Sequence, residues 1–279
     1  KVLPCLTATE KLLHLVRLLQ KHSGEIGVIY VATRAATREV LVALKQLLPL
    51  QAKNMSNYHG GMDFAERAEK QSLFMSGKVR ILVATTAFGM GIDKADVRFV
   101  IHYHPPASIE QYYQEVGRAG RDGQPSAAYT LLKQKDFKVL VQIHLANKRP
   151  ELRKHAKWKL QQVLRLLYGR SCTTKRIAAY FSQSLSKTCD TCDRCTKEHR
   201  QDALVRTLET ETEKVQLKKL LAWRNFAANT ESEYQIATDA QLLVLANFRP
   251  KNIHSCIKLP GFGAGWCKQF WSSLQAYMI

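Results

Sequence analysis

Short apolar runs alternate with amphipathic helical patterns in the first half of the chain. Runs rich in β-forming residues predict buried strands at 27–32, 80–84, 97–102 and 127–132. Before and between these runs, apolar residues recur at helical spacing, as in residues 7–22. Strands that alternate with helices predict βαβ units and a mostly parallel sheet. We therefore expect an α/β lobe over residues 1–147.

The second half of the chain predicts helices only. Residues 148–197 fit a helical hairpin, with Pro150 in a first helical turn and Gly169 at the end of that helix. Residues 198–213 are polar and predict a linker. Residues 214–279 carry apolar clusters that predict four or five short helices in a small all-α domain.

The charge of the chain indicates a polyanionic partner. The 279 residues carry a formal net charge of +19, and 46% of them are hydrophobic, which is enough for a packed core. Residues 148–187 alone hold eleven Lys or Arg against one acid, Glu151. Solvated helix faces are often basic, but this excess lacks compensating acids. We expect a surface that follows nucleic-acid phosphates.

The sequence gives no sign of a membrane protein. No run approaches about 18 consecutive apolar residues, and no signal peptide precedes the first strand. Four of the seven cysteines cluster, which favours a reduced interior and a metal over a disulfide framework. We expect an intracellular protein, in the cytoplasm or nucleoid of a bacterium or the nucleus of a eukaryote. Because the chain starts at Lys1, we expect a piece of a longer protein.

A first group of candidate ligand-binding residues follows the predicted strand at 80–84. Thr85 and Thr86 stand where this strand ends, and ligands of open α/β sheets lie outside the carboxyl ends of strands. Gly89 and Gly91 would let the backbone approach a ligand. Asp93 is an acceptor suited to a ribose hydroxyl.

A second group supplies positive charge. Arg118 and Arg121 are three positions apart, which on a helix would place both on one face. Gly117 and Gly120 remove side-chain bulk beside them. Paired arginines suit the charge on a transferred γ-phosphoryl group. Taken singly, a Thr-Thr pair is usually a helix cap, and two arginines usually form a solvated face.

The two groups together resemble a known family. Phe-Gly-Met-Gly-Ile-Asp-Lys at 88–94 and Gln-Glu-Val-Gly-Arg-Ala-Gly-Arg-Asp-Gly at 114–123 are similar to motifs V and VI in the second RecA-like lobe of superfamily-two helicases, especially the RecQ branch. The resemblance implies a RecA-like lobe and ATP-driven work on DNA. It implies catalytic roles for Gln114, Arg118 and Arg121, and ATP contacts for Gly91 and Asp93.

The resemblance also implies DNA contacts. Thr85 and Thr86 would meet the DNA backbone. Thr33-Arg34 resembles helicase motif IV, although a capped helix with a surface arginine explains it equally well. The Tyr-His-Gly-Gly stretch at 58–61 is similar to a DNA-facing RecQ loop, so His59 and Gly60 are candidate contacts, with a structural histidine as the alternative.

Four cysteines predict a metal site. Cys189, Cys192 and Cys195 form C-x-x-C-x-x-C, and sixteen residues separate Cys172 from Cys189. Four thiolates around one centre describe a structural zinc site with no open position. An iron–sulfur cluster, a disulfide or free thiols are the alternatives. The arrangement resembles the RecQ zinc-binding subdomain, and we expect metal binding to contribute to the folding of residues 150–197.

The C-terminal residues resemble the HRDC module of RecQ helicases and ribonuclease D. The similarity rests on residues 217–224, 236–245 and the Lys-Leu-Pro-Gly-Phe-Gly stretch at 258–263, which also looks like a helix-hairpin-helix DNA contact. A protein-interaction role is the alternative. The other three cysteines, Cys5, Cys256 and Cys267, are expected to be isolated packing residues.

Two parts of a RecQ enzyme are missing from the sequence. It contains no G-x-x-x-x-G-K-[ST] and no D-E-x-H, so the first lobe, which would hold most of the ATP and Mg²⁺, is absent. We expect no ATP hydrolysis by this chain alone. The interval of about twenty residues after Cys195 is too short for the winged-helix domain usual at that place.

The function expected from the sequence is the C-terminal portion of a RecQ-like ATP-dependent helicase. The resemblance implies 3′-to-5′ movement on DNA that is single-stranded or has a single-stranded tail. The alternative is a non-catalytic nucleic-acid-binding helicase remnant. An RNA helicase is a third reading, disfavoured by the cysteine hairpin and the HRDC-like end.

Overall fold

The structure is a computed structural model, in which part of the chain is described. The described residues are 1–5, 8–89, 92–145, 150–196, 211–228, 236–237, 239–257, 259 and 262–278. Gly91, residues 198–210 of the predicted linker, and Pro260 and Gly261 of the HRDC-like turn lie outside them.

The α/β lobe contains a six-stranded sheet in which every pair of neighbouring strands is parallel, as predicted. The order across the sheet is β1-β6-β5-β2-β4-β3. The strands are β1 Val2–Cys5, β2 Ile26–Tyr30, β3 Met55–Tyr58, β4 Ile81–Ala84, β5 Val97–His102 and β6 Ala127–Lys133. The sequence interpretation omitted β1 and β3, because neither is a continuous run of β-forming residues: Pro4 interrupts β1, and β3 contains Ser56 and Asn57.

Helices cover both faces of the sheet. Their bounds are α1 Ala8–Lys21, α2 Arg34–Leu47, α3 Phe64–Met75, α4 Ile109–Val116 and α5 Gln134–Leu145, with a 3₁₀ helix at Pro49–Asn54. Consecutive strand residues point to opposite faces. Ile29 packs with Leu44 of α2 on one face, and Val28 packs with Phe74 of α3 on the other. The sheet is therefore buried on both sides, which explains the continuous apolar strands.

The hairpin after the lobe is formed by α6 Pro150–Tyr168 and α7 Thr173–Tyr180. It shares an apolar core with the lobe, where Val163 and Leu167 of α6 pack with Ile109 and Leu132. The lobe therefore supplies the other half of the hairpin's apolar core. Arg176 of α7 donates hydrogen bonds of 2.6–2.9 Å to four backbone carbonyls at the end of α6.

The C-terminal helices are α8 Glu211–Ala227, α9 Asp239–Phe248, α10 Ile253–Ile257 and α11 Ala264–Gln275. They pack around the fully buried Trp223. Cys256 and Cys267 are buried in the same cluster, as expected of packing residues, and burial raises the pKa of both thiols. The two thiols also interact with each other, so they are neighbours in the core although they are isolated in the sequence. Helix α9 also contacts α1, where Phe248 packs against the core of the lobe.

None of the described helices combines the length and the apolar character that a membrane crossing requires.

Candidate functional site

A cleft of about 670 Å³ opens between the loop after β4 and the end of α4. It brings together four of the five residues for which catalytic roles or ATP contacts are predicted: Asp93, Gln114, Arg118 and Arg121. Gly91, the fifth, lies outside the described residues. The remaining lining comes from Gly89, Ile92, Tyr113, Val116 and Gly117. The two sequence motifs, far apart in the chain, therefore form one concave surface.

The two arginines are not on a helix, contrary to the sequence expectation. Helix α4 ends at Val116 with Gly117 as its C-cap, and Arg118 and Arg121 lie in the turns that follow. Gly120 has a φ of +69°, a left-handed conformation that glycine adopts without strain. Its N–H donates to Val97 O at 2.9 Å, which ties the turn to β5. The glycines end the helix, and the folded turn still directs both side chains into the cleft.

Arg118 is fixed by the backbone of the opposite motif. Its Nη1 donates to Gly89 O at 2.7 Å, and its buried Nε has no partner among the described residues. A β-carbon at position 89 would overlap the Arg118 guanidinium group, so the guanidinium requires glycine there. The half-buried side chain is held in one place with a donor left over.

Arg121 is more loosely held. Its Nη1 lies 2.7 Å from Asp93 Oδ1 and 3.3 Å from Ile92 O. Asp93 is 84% exposed and Arg121 is 38% exposed, so solvent screens this ion pair and it contributes little stability. A ligand can therefore take the place of either partner in the Arg121–Asp93 pair at a low cost in free energy.

Tyr113 is a lining residue that the sequence interpretation missed. It follows Tyr112, and nothing in the pair of tyrosines tells which one faces outward. The rotation of helix α4 determines which tyrosine faces outward. Tyr112 packs into the core shared with the hairpin, whereas Tyr113 is 58% exposed and reaches the cleft.

A second group of predicted residues lies at the carboxyl edge of three adjacent strands, β2, β4 and β3. Since the strands are parallel, the loops that follow them meet at one edge. These loops carry Thr33, Arg34, His59, Gly60, Thr85 and Thr86. The exposed Arg34 guanidinium lies against Gly61, and among the described residues none accepts a hydrogen bond from it. Gly60 lies close to Ala87, so the loops that follow β3 and β4 are neighbours.

These edge residues differ in what they can offer a ligand. Thr33 is the N-cap of α2, where its Oγ1 accepts from Ala36 N–H at 3.1 Å. His59 is buried, and burial lowers the pKa of its imidazole, which is therefore neutral at pH 7. Thr85 N–H donates to Tyr58 O at 3.1 Å. Arg34, Gly60 and Thr86 are exposed, and of these three only Arg34 and Thr86 offer a polar side chain.

Another cavity, of about 490 Å³, is lined by Thr33 and by residues of α1, α2 and α5. Lys11 and Asp136 form a buried ion pair there, with Nζ and Oδ2 2.5 Å apart, and Lys11 Nζ lies 4.5 Å from the centre of the Tyr103 ring. The pair joins positions 125 residues apart, so no local sequence pattern could show it. The positive charge of Lys11 is neutralised, which makes this cavity a poorer anion site than the cleft.

His104 in this second cavity should make stability depend on pH. Burial, with help from Lys11 and Lys133, lowers the pKa of His104 from 6.5 to about 4. Between these values the unfolded chain binds a proton that the folded chain does not. We expect the free energy of unfolding to fall by about 3 kcal/mol at most as the pH drops through this window, and to be unaffected by His104 above it.

Urea unfolding of the parent and of His104→Gln across this window measures the effect. Glutamine keeps an acceptor for Ala32 N–H, which donates to His104 Nδ1 at 3.2 Å. The difference between the two curves isolates His104 from other acid-sensitive groups. Parallel curves from pH 6.5 down to 4 would contradict the expectation.

The four predicted metal ligands converge. Cys172 precedes α7, and the loop after α7 brings Cys189, Cys192 and Cys195 to it, with all four Sγ atoms within 4.8 Å of one another. Neighbouring sulfurs are 3.5–3.9 Å apart. A tetrahedral centre with Zn–S bonds of about 2.3 Å spaces its sulfurs about 3.8 Å apart. The cysteines are unbonded to each other, so the disulfide alternative does not describe this structure.

The zinc centre has further support from the backbone. Cys192 N–H donates to Cys189 Sγ at 3.3 Å, and Asp190 has a φ of +54°, which turns the loop tightly around the sulfurs. Arg194, between two of the ligands, donates to Leu167 O at 3.1 Å and so joins the loop to α6. The donor set fits a structural zinc ion.

Comparisons with known proteins agree with this arrangement. Residues 10–123 match the helicase conserved C-terminal domain, residues 132–196 the RecQ zinc-binding domain and residues 213–276 the HRDC domain. The parallel lobe thus matches the helicase conserved C-terminal domain and resembles a RecA-like lobe, and the zinc-binding and HRDC domains follow it.

Relatives along the chain are helicases. The ATP-dependent DNA helicase RecQ of Pasteurella multocida is 31% identical over 267 residues, which are 95% of this chain and 40% of that protein. A protein of Acanthamoeba polyphaga mimivirus, named provisionally as an ATP-dependent RNA helicase, is 34% identical over 67% of this chain and 33% of its own length. The chain therefore carries the domain set of the RecQ-like helicases, and it spans less than half the length of these relatives.

Among solved structures, the Escherichia coli DEAD-box protein SrmB bound to regulator of ribonuclease activity A matches with a TM-score of 0.43 and 26% identity. The match covers 53% of this chain and 85% of that one.

Proposed function

We propose that this chain is the C-terminal portion of a RecQ-like ATP-dependent DNA helicase that moves 3′ to 5′ on DNA with a single-stranded region. A first RecA-like lobe would hold most of the ATP and Mg²⁺. The observation that carries the proposal is the shared cleft, in which Arg118, Arg121, Gln114 and Asp93 face the same space. Such a half-site suits a nucleotide bound between two lobes.

The two arginines would stabilise the charge on the γ-phosphoryl group during transfer. Arg118 is pre-oriented by its hydrogen bond to Gly89 O, so it needs little rearrangement. Arg121 would leave Asp93, whose carboxylate would then accept from the ribose. Gln114, exposed at the rim, would contact the same nucleotide and help to order the site. Gly91 would let the backbone approach it.

The carboxyl edge of β2, β4 and β3 would bind the DNA backbone. Arg34 and Thr86 are exposed and would contact phosphates directly. Thr33 and Thr85 would add hydroxyl contacts, and the His59-Gly60 turn would shape the edge. The buried, neutral His59 serves the loop conformation more than it serves charge recognition.

Replacing Arg34 should weaken DNA binding in a salt-dependent way. For Arg34→Ala in this chain, we expect a several-fold lower affinity for single-stranded oligothymidylate at moderate salt. The slope of log K against log salt should fall by about one phosphate contact, about 0.7 for a single strand. Fluorescence anisotropy at a series of salt concentrations measures both quantities.

Lys45→Ala is the matched control for Arg34→Ala. Lys45 is an exposed base in the last turn of α2, the helix that Arg34 begins, about 16 Å away along the axis. We expect parental affinity and slope from this control. If both variants lower the slope equally, the basic surface is diffuse and Arg34 has no special role at the edge.

The rival function is a nucleic-acid clamp without catalysis. The two are separated by joining the chain to a first RecA-like lobe and measuring ATP hydrolysis with and without single-stranded DNA. Stimulated hydrolysis supports the helicase, whereas tight DNA binding without hydrolysis supports the clamp. An RNA oligonucleotide of the same length tests the activity named for the mimivirus relative; stronger stimulation by RNA would overturn the assignment of DNA as substrate.

A further inference from the structure

Five aromatic rings from three helices form a continuous run on the hairpin side of the lobe. His155 and Trp158 of α6 are stacked, with centroids 6.0 Å apart, and Trp158 stacks on Tyr180 of α7 at 5.8 Å. Tyr180 meets Phe181 edge-on at 5.2 Å, and Phe181 meets Tyr113 of α4 at 5.7 Å. The helicase site described above does not use the first four of these rings.

The run is open to solvent. Trp158 is 45% exposed, Phe181 42% and Tyr113 58%, so three large rings remain exposed to solvent although each contacts another ring. Contiguous exposed apolar surface of this kind marks a binding site. Trp158 is stacked on two neighbouring rings, whereas Phe181 meets both Tyr180 and Tyr113 edge-on, an arrangement in which a ring face can stay open to a planar ligand.

Positive charge surrounds the rings. Lys154 lies four residues before Trp158, on the same exposed face of α6, and Lys157 is its exposed neighbour. Glu110 of α4 interacts with Tyr180 of the run, and its charge is paired with Lys159 at 2.8 Å. The only acid within residues 148–187 of the basic segment is Glu151, in the first turn of α6. The surface therefore combines planar apolar rings with an excess of cations.

We propose that the ring run of His155, Trp158, Tyr180, Phe181 and Tyr113 is a stacking platform for the bases of single-stranded DNA. Successive bases stack on aromatic side chains while nearby cations follow the phosphates, and this needs unpaired bases. A duplex hides its base faces and could use only the charge. The inference rests on the proposed function for its substrate and adds to it a base-contacting surface outside the lobe edge.

The platform ends at the nucleotide cleft, because Tyr113 belongs to both. Its other end is His155 of α6, and its middle depends on the zinc hairpin, since Tyr180 and Phe181 stand at the end of α7. The Lys159–Glu110 pair joins α6 to α4, and so helps to align the rings of His155 and Trp158 on α6 with the ring of Tyr113 on α4. Bases on the platform would thus lie between the metal-supported hairpin and the arginine cleft.

The test uses the full 279-residue chain and two probes of equal length, an oligothymidylate of about 16 nucleotides and an abasic deoxyribose-phosphate oligomer. We expect Trp158→Ala and Phe181→Ala each to bind oligothymidylate about tenfold or more weakly, with an unchanged slope of log K against log salt. Binding of the abasic oligomer should change less than twofold. Trp158→Phe, which keeps a ring, should regain most of the affinity for oligothymidylate.

Phe226→Ala is the matched control. Phe226 is 71% exposed in the C-terminal domain, and it forms no ring pair within the described part of the chain. This variant should bind both probes as the parent does. Affinities within twofold of the parent for both Trp158→Ala and Phe181→Ala would overturn the platform. So would equal losses on oligothymidylate and on the abasic oligomer, which would show a charge or folding effect.

The outcomes separate this inference from the proposed function. If the parent binds neither probe, nucleic-acid binding by the chain fails as a whole. If the parent binds and the aromatic variants are unaffected, only the platform fails. If the aromatic variants keep full DNA affinity but no longer associate with an added first RecA-like lobe, the rings are a protein interface, and the platform is again overturned.

Discussion

Replacing Arg118 or Arg121 by alanine, in the chain joined to a first RecA-like lobe, is expected to lower the rate of DNA-stimulated ATP hydrolysis by about 10³ or more. The reason is that each guanidinium would stabilise charge that develops in the transition state. ATP affinity, measured separately with a fluorescent analogue, should change far less. Of the two, Arg118 should be the more sensitive, because the Gly89 carbonyl holds it in one orientation.

Lysine variants and a remote arginine provide the controls. Arg118→Lys keeps the charge and loses the forked geometry, so it should recover only a small part of the rate. Arg67→Ala removes a partly exposed arginine of α3, outside the residues that line the cleft, and should leave the rate near the parental value. Rates within tenfold of the parent in both alanine variants would remove the catalytic assignment.

Loss of the zinc ligands should unfold the end of the hairpin. In Cys192→Ala, or after complete chelation, we expect residues 170–196 to become sensitive to protease. Zinc binding stabilises small metal-dependent folds by about 10 kcal/mol or more, which exceeds what the few apolar contacts of α7 can supply. Helix α6 should resist longer, since Val163, Leu166 and Leu167 pack against the lobe. Limited proteolysis with mass spectrometry and zinc analysis measure these outcomes.

Cys256→Ala is the control for the zinc experiment. Cys256 lies in the core of the C-terminal domain, away from the four converging thiols, so this variant should still bind one zinc ion per chain. A hairpin that stays protease-resistant in Cys192→Ala without bound metal would show that Arg176 and the shared apolar core are sufficient. That result would leave zinc without a folding role.

The features that the sequence could predict were local. Period-2 and period-3.6 patterns lie within one element, so the parallel α/β lobe and the all-α end could be read directly. Cysteines with two-residue spacers constrain each other, and only Cys172 had to be brought in from a distance. The structure confirms that all four thiols meet.

The features that sequence reasoning missed depend on folding over longer distances. The end of α4 at Val116 depends on how Gly117 and Gly120 turn toward β5, and helical spacing of the arginines could not show that turn. The aromatic run joins positions from Tyr113 to Phe181 through three helices. Docking of α9 on α1 likewise requires two domains to meet.

The central claim is that this chain supplies arginines to a nucleotide held by another lobe, and binding of a transition-state analogue tests it most directly. We expect the joined protein to bind ADP with aluminium fluoride at least 100-fold more tightly than the Arg118→Ala, Arg121→Ala double variant does, with ADP alone bound about equally by both. Equal affinity of parent and double variant for the aluminium fluoride complex would contradict the claim.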